Sequence, residues 1–258
     1  MSTALITGAS SGIGLALARK CLTRYSRVLL LSFDQPELEK ACAELGASAH
    51  PVLCDLSQAP EVVGLLARLE AEHGPLDLLV NNAGIGHHGE IVDLSDELLR
   101  RVMEVNFFAP VSLCRQALTL MAARRKGHIV NLTSASARRP LARMGAYGSS
   151  KAALHGFTQV LRLEAAQHGV QVSEVLPISV ATPFFQRATN TSSQSYRARG
   201  LVQTPEQVAD CVLNCVDRGI AERVTHIPTG WALALDGLFP NAVAWLLRVI
   251  ESNSTRNR

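Results

Sequence analysis

Short apolar runs at Leu5, Val28 to Leu31, Val52 to Leu53, Leu76 to Val80, His128 to Leu132 and Val170 to Leu176 alternate with longer stretches of helical period, and this alternation restricts the fold most. Strands joined through helices run parallel, because each helix carries the chain back to the same end of the sheet. Runs such as Val28-Leu-Leu-Leu31, with no polar alternate, fit strands covered on both faces. Right-handed crossovers to both sides give a doubly wound α/β/α sandwich of three layers around a mainly parallel sheet of about seven strands, with ligands at the carboxyl ends of the strands.

With 258 residues and 47% hydrophobic composition the chain can bury one large core, and no composition break or repeat divides it. A single domain over 1–258 is expected, with the polar stretch within 184–203 as a substrate loop or lid. The tail 231–258 is strongly apolar but interrupted by Asp236 and Pro240, so no charge-free run reaches the ~18 residues of a membrane span. Trp245, Leu246 and Val249 are expected to cover the substrate side or a partner subunit, with peripheral membrane contact as the lesser alternative.

The net charge of +3 comes from scattered basic residues, with Arg124 to Lys126 and Arg138-Arg139 as the local clusters. No aromatic residue interleaves them, which argues against nucleic acid as a partner. Arg124 to Lys126 are expected to cap a helix end before Gly127. The six cysteines, at 21, 42, 54, 114, 211 and 215, include no Cys-x-x-Cys and read as buried thiols. No metal is expected, since neither Cys211 with Cys215 nor His87 with His88 has the further ligands a site needs. His87 and His88 read as an exposed polar loop. Because the first strand begins within three residues of the amino terminus, a cytoplasmic protein is expected.

Ala4 to Gly14 reads as strand, glycine-rich turn and helix, with the helix starting near Ile13. Gly8, Gly12 and Gly14 allow a tight turn and close approach of a phosphate to the backbone, while the helix start offers unpaired N–H groups and a positive dipole end. Ser10, Ser11 and Ile13 belong to this dinucleotide-binding turn. Further on, Tyr147 and Lys151 are spaced to stack on one helix face. A fixed ammonium lowers the pKa of a neighbouring phenol, which general acid/base work near neutrality requires. Asp55, Asn82 and Ser134 follow the third, fourth and fifth strands and meet the glycine turn on one sheet edge.

Thr7-Gly8-x-x-x-Gly12-x-Gly14, Asn81-Asn-Ala-Gly84, Asn106, Ser134 and Tyr147-x-x-x-Lys151 together resemble the short-chain dehydrogenase/reductase family, in its compact single-domain branch, over roughly residues 3 to 182. The resemblance implies a Rossmann-type sandwich and an NAD(P)-dependent oxidoreductase that interconverts a carbonyl and a secondary alcohol. It implies that Tyr147 exchanges the proton, Ser134 holds the substrate oxygen, and Lys151 assists Tyr147 and binds the nicotinamide ribose. Asn106 would anchor a water beside Lys151. Asp55 and Leu56 would meet adenine, and Asn82 and Gly84 would support the adenosine side. Pro177, Val180 and Thr182 match the positions that hold the carboxamide, but Ile178 replaces the family's glycine, which leaves that loop's geometry open because a β-branched residue does not readily take φ > 0. Ser32 and Phe33 stand where the family carries a discriminating acid or arginine, with Asp34 one residue late and no cation at Ser11, so charge complementarity leans to NAD(H) over NADP(H). A homodimer or homotetramer is expected. The alternative is a catalytically silent cofactor-sensing or scaffold protein on the same fold, disfavoured by the intact Ser134, Tyr147 and Lys151 set.

Overall fold

The computed structural model describes residues 2–192, 201–239 and 241. The chain forms two compact units, Met1–Thr225 and His226–Arg258. In the first, β1 (Thr3–Thr7), α1 (Gly12–Cys21), β2 (Arg27–Ser32), α2 (Gln35–Leu45) and β3 (Ala49–Leu53) build the amino-terminal half. The helices α3 (Ala59–Val62) and α4 (Leu65–His73) lead to β4 (Leu76–Asn81), followed by the short β5 (His87–His88), α5 (Asp96–Met103) and α6 (Ala109–Arg124). Then come β6 (His128–Leu132), α7 (Gly145–Gln167), β7 (Gln171–Leu176), the short β8 (Thr189–Asn190), α8 (Pro205–Arg218) and β9 (Glu222–Val224).

Seven strands form one sheet in the order β3-β2-β1-β4-β6-β7-β9. All its pairings are parallel. The uninterrupted apolar runs are explained by the pleat, which sends alternate residues to opposite faces. Ala4, Ile6, Val28, Leu30, Leu78 and Val80 join one core with Leu17, Leu38 and Val212. Their neighbours Leu5, Leu29, Leu31 and Leu79 join the other with Leu66, Leu113, Met121 and Leu161. Helices α1, α2 and α8 therefore cover one face and α4, α6 and α7 the other, which is the doubly wound three-layer sandwich expected from the alternation.

One local reading needs correction. His87 is buried rather than exposed, paired through Nε2 with Thr191 Oγ1 at 3.1 Å, because β5 and β8 clasp each other in a two-stranded ladder. Arg124 stands in the last turn of α6 and Arg125 is its C-cap, as expected, while the Arg124 side chain donates to both Glu70 oxygens and to Leu76 O, at 2.9 to 3.0 Å, and Lys126 pairs with Asp77 at 2.9 Å. Arg138 and Arg143 are held by Glu222 and Glu90. All six cysteines are free thiols, four of them buried.

The second unit contains α9 (Ile227–Leu238), on which Ile227, Trp231, Leu235 and Leu238 recur at helical spacing and are exposed. Trp245, Leu246 and Val249 lie outside the described residues, as does 193–200 of the expected lid. Among the described residues no helix is long and apolar enough to cross a membrane.

Candidate active site

Because every strand of the main sheet runs the same way, the segments after β1, β2, β3, β4, β6 and β7 all emerge at one edge. The turn after β1 is held by side chains from the β4 segment. Thr7 Oγ1 accepts from the backbone N–H groups of Asn82 at 3.0 Å and Ala83 at 2.9 Å. The Asn82 amide in turn donates to Thr7 O at 2.8 Å and Gly8 O at 3.1 Å. Gly8 takes φ +65°, open to glycine, and a Cβ on Gly14 would lie 2.2 Å from Gly8 O. Ser11 is the N-cap of α1, yet its side chain makes no capping bond and no acidic residue stands in the first turn. The N–H groups at Gly12 to Gly14 thus have no side-chain acceptor from the N-cap and stand at the positive end of the helix dipole, a setting suited to an anion.

The second half of the site is built on α7 and on a π-helical turn, Glu104–Phe108, between α5 and α6. Such turns frequently mark functional sites, since the widened ladder redirects a side chain inward. Here the residue redirected is Asn106, fully buried. Its Oδ1 accepts from Ile85 N at 2.8 Å, and its Nδ2 donates to Ile85 O and to Ser150 Oγ, both at 2.9 Å. Ser150 donates onward to Tyr147 O at 2.8 Å, so Asn106 braces the first turn of α7. Tyr147 and Lys151 are both buried within that helix. Lys151 Nζ donates to Leu132 O, at the end of β6, at 3.0 Å. Burial pushes its pKa down to about 8, with the Glu174 charge acting in the opposite sense. A Cβ on Gly84 would meet Asn106 Oδ1 at 3.1 Å and Lys151 Nζ at 3.5 Å, so these three residues share one small space. Ser134 accepts from Ser136 N at 3.1 Å, and Ala135 N donates to Pro177 O at 2.9 Å, joining the β6 and β7 loops.

The β7 loop closes over the glycine turn. Thr182 is the methyl-bearing neighbour a Cβ on Gly12 would strike, at 3.1 Å. Val180 bridges to Gln203 in parallel, with Ala181 N donating to Gln203 O at 2.8 Å. Ile178 is accommodated without positive φ, which among the described non-glycine residues occurs at Arg125 and Arg143 alone. Phe184 and Phe185 stack edge-on to Tyr147, with centroids at 5.6 and 5.9 Å.

On the β2 and β3 side, Asp34 is engaged as the N-cap of α2, accepting from Glu37 N at 3.0 Å. The carboxylate that reaches the glycine turn is Glu37, 3.5 Å from Ser10 Oγ, which also contacts Ser32 Oγ at 3.1 Å. Arg187, from the β7 loop, pairs with both Glu37 oxygens at 2.5 and 3.1 Å. Neither Glu37 nor Arg187 is marked by local sequence, since their pairing spans 150 residues. Asp55 accepts from Ser57 N at 2.9 Å and precedes the buried Leu56. Asp55 and Leu56 thus follow the outer strand β3, on the opposite side of β1 from α7. The uncapped helix start, the glycine cradle that a Cβ would fill, and this spread along one edge fit an extended, anionic dinucleotide.

The short chain dehydrogenase family profile matches residues 2–193. Dehydrogenase/reductase SDR family member 7B of Bos taurus is 34% identical over 224 residues, 81% of this chain and 68% of that protein. Among solved structures, a short-chain dehydrogenase from Sphingobium yanoikuyae in complex with NADPH is 28% identical with a TM-score of 0.80, covering 95% of this chain and 96% of that one. A short chain dehydrogenase/reductase from Burkholderia phymatum in complex with NAD is 25% identical with a TM-score of 0.82, covering 92% of each. With a profile that spans most of the chain, and with the family's motifs gathered at one sheet edge, this chain belongs to the short-chain dehydrogenase/reductase family of oxidoreductases.

Proposed function

We propose that the chain is an NAD(P)(H)-dependent oxidoreductase that interconverts a carbonyl and a secondary alcohol, with Tyr147 as general acid/base. The observation that carries this reading is the buried Tyr147, Lys151 and Asn106 constellation beside an uncapped, glycine-cradled helix start. Bound NAD(P)(H) would supply or accept the hydride. In the reducing direction Tyr147 gives its hydroxyl proton to the carbonyl oxygen as negative charge develops there, and in the oxidising direction it takes that proton back. Lys151 steadies the phenolate left behind and would hold the ribose of the bound nicotinamide. Ser134 holds the reacting oxygen, and Asn106 keeps the first turn of α7 in place and anchors a water that links Lys151 to solvent.

The N–H groups of Gly12, Ile13 and Gly14, with Ser10 and Ser11, take the pyrophosphate. Asp55 and Leu56 would meet adenine, Asn82 and Gly84 would support the adenosine side, and Pro177, Val180 and Thr182 would hold the carboxamide. The rings of Phe184 and Phe185 beside Tyr147 favour a substrate with an apolar body. Residues 1–258 act together as one cytoplasmic enzyme, assembled as a homodimer or homotetramer.

The NADPH and NAD complexes of the two solved relatives support a dinucleotide of either kind. The Glu37 carboxylate at Ser10 supports NAD(H), since it would oppose a 2′-phosphate while its oxygens suit a ribose hydroxyl. Titrating nicotinamide fluorescence with NADH and with NADPH tests this, followed by a screen of carbonyl compounds for consumption of the reduced cofactor. Binding of NADH with equal or higher affinity is expected. NADPH binding tenfold tighter, about 1.4 kcal/mol, would show that Arg187 leaves Glu37 for the 2′-phosphate. Binding of neither would overturn the oxidoreductase reading.

A further inference from the structure

Along α7, Tyr147, Lys151, His155 and Gln159 recur every four residues and share one face. The last two turn toward a carboxylate that the proposed mechanism does not use. Glu174 on β7 is fully buried. Its carboxylate accepts from Thr133 Oγ1 at 2.6 Å, from His155 Nδ1 at 2.9 and 3.0 Å, and from Gln159 Nε2 at 3.1 Å. Gln159 also reaches Glu222 on β9 at 3.1 Å, and Arg138 donates to the other Glu222 oxygen at 3.0 Å. His155, Glu174 and Glu222 offer ligand atoms within 4.8 Å of one another, but the Gln159 amide and the Arg138 guanidinium donate into the group, so it is built as a hydrogen-bonded charge network rather than a cation site.

This network adjoins the active site through two consecutive residues. Leu132 O receives Lys151 Nζ, and the hydroxyl of Thr133 holds Glu174. The groups facing Glu174 are Thr133 from the end of β6, Lys151, His155 and Gln159 from α7, and Glu222 from β9. The Glu174 pKa is raised, with burial as the largest cause and the Glu222 charge acting the same way, while the Thr133 bond and His155 work against that rise. A buried amine with one buried carboxylate nearby retains its proton to higher pH than it would alone.

We propose that Glu174, fixed in place by Thr133 and His155, is a positioning residue that keeps Lys151 protonated from behind the active site and so sets the pH range in which Lys151 serves Tyr147. This rests on the role given to Lys151 above. The chain has four lysines, Lys20, Lys40, Lys126 and Lys151. Isotope-edited NMR of the lysine ε-methylene groups can therefore follow each amine through its titration, with Lys151 assigned by its loss in Lys151→Arg. In Glu174→Gln, which keeps the side-chain shape, the Lys151 titration is expected to move down by roughly 1 unit, and the pH at which NADH affinity falls should move with it. If Glu174→Gln does not fold, Thr133→Val combined with His155→Asn removes two groups that oppose the rise in the Glu174 pKa and should shift Lys151 the same way by less. A folded variant in which Lys151 titrates as in the parent overturns the proposal, as does a uniform loss of stability or affinity with no shift in pH. A shifted Lys151 titration with cofactor binding and turnover unchanged at every pH would leave the coupling standing and count instead against the catalytic role of Lys151.

Discussion

A single added methyl at Gly14 would lie 2.2 Å from Gly8 O, backbone that cannot swing away, and 2.7 Å from Asn82 Nδ2, a side chain already tied to Thr7 O and Gly8 O. Gly14→Ala must therefore open the turn, and we expect NADH affinity to fall at least about tenfold and stability by about 1–3 kcal/mol, read by fluorescence titration and chemical unfolding. Lys151 carries a prediction of different sign. Its pKa is lowered to about 8 from the usual 10.5. Between those values the unfolded chain holds a proton that the native chain has released, so the Lys151 contribution to stability rises with pH across that window and is least favourable below it. Lys151→Met should accordingly raise the melting temperature at neutral pH, by an amount equivalent to at most roughly 3 kcal/mol, partly offset by the lost bond to Leu132 O. At pH values above the window the gain should disappear. A variant less stable than the parent at neutral pH would show that the bond outweighs the cost of burying the charge. At this scale the motif residues were legible because their meaning lies in local spacing. Asp34 was not, because whether a carboxylate caps a helix or faces a ligand depends on geometry a short window does not contain, and the acid that reaches Ser10 proved to be Glu37.

Among the elements, the six apolar runs became β1, β2, β3, β4, β6 and β7; burial on both faces restricts residue type in the inner strands such as β1 and β2, whereas β3, at the sheet edge, leaves Pro51 and Leu53 exposed. The seventh strand, β9, is three residues long and begins Glu222-Arg223, so it carries no hydrophobic signal and exists through pairing with β7. The same holds for β5, where two histidines read as solvated loop are fixed by Thr189 and Asn190, about a hundred residues downstream in register. Helix α9 is the element whose apolar face asks most for an experiment. Trp231 and Leu238 are each 71% exposed on it. Truncation of 240–258, and separately Trp231→Ser with Leu235→Ser, should alter solubility, assembly state or KM, measured by sedimentation and steady-state kinetics. Unchanged behaviour in all three, with the full chain ignoring liposomes, would remove both the covering role and peripheral membrane contact from the account.

For the molecule as a whole, a parallel sheet puts every strand end on one side, so residues separated by most of the chain meet without long loops. That is why the fold and half of the site could be read early, and why contacts such as Arg187 with Glu37, or Thr133 with Glu174, could not: they arise only after the sheet has formed. The central claim is that this assembled edge transfers hydride with Tyr147 moving the proton. Single-turnover hydride transfer at saturating cofactor, using a carbonyl substrate found by screening, compares the parent with Tyr147→Phe, which keeps the ring and removes the hydroxyl. The account predicts unchanged cofactor binding and a rate lower by roughly 10² to 10⁴; transfer at the parental rate would contradict it, because the proton would then come from another group.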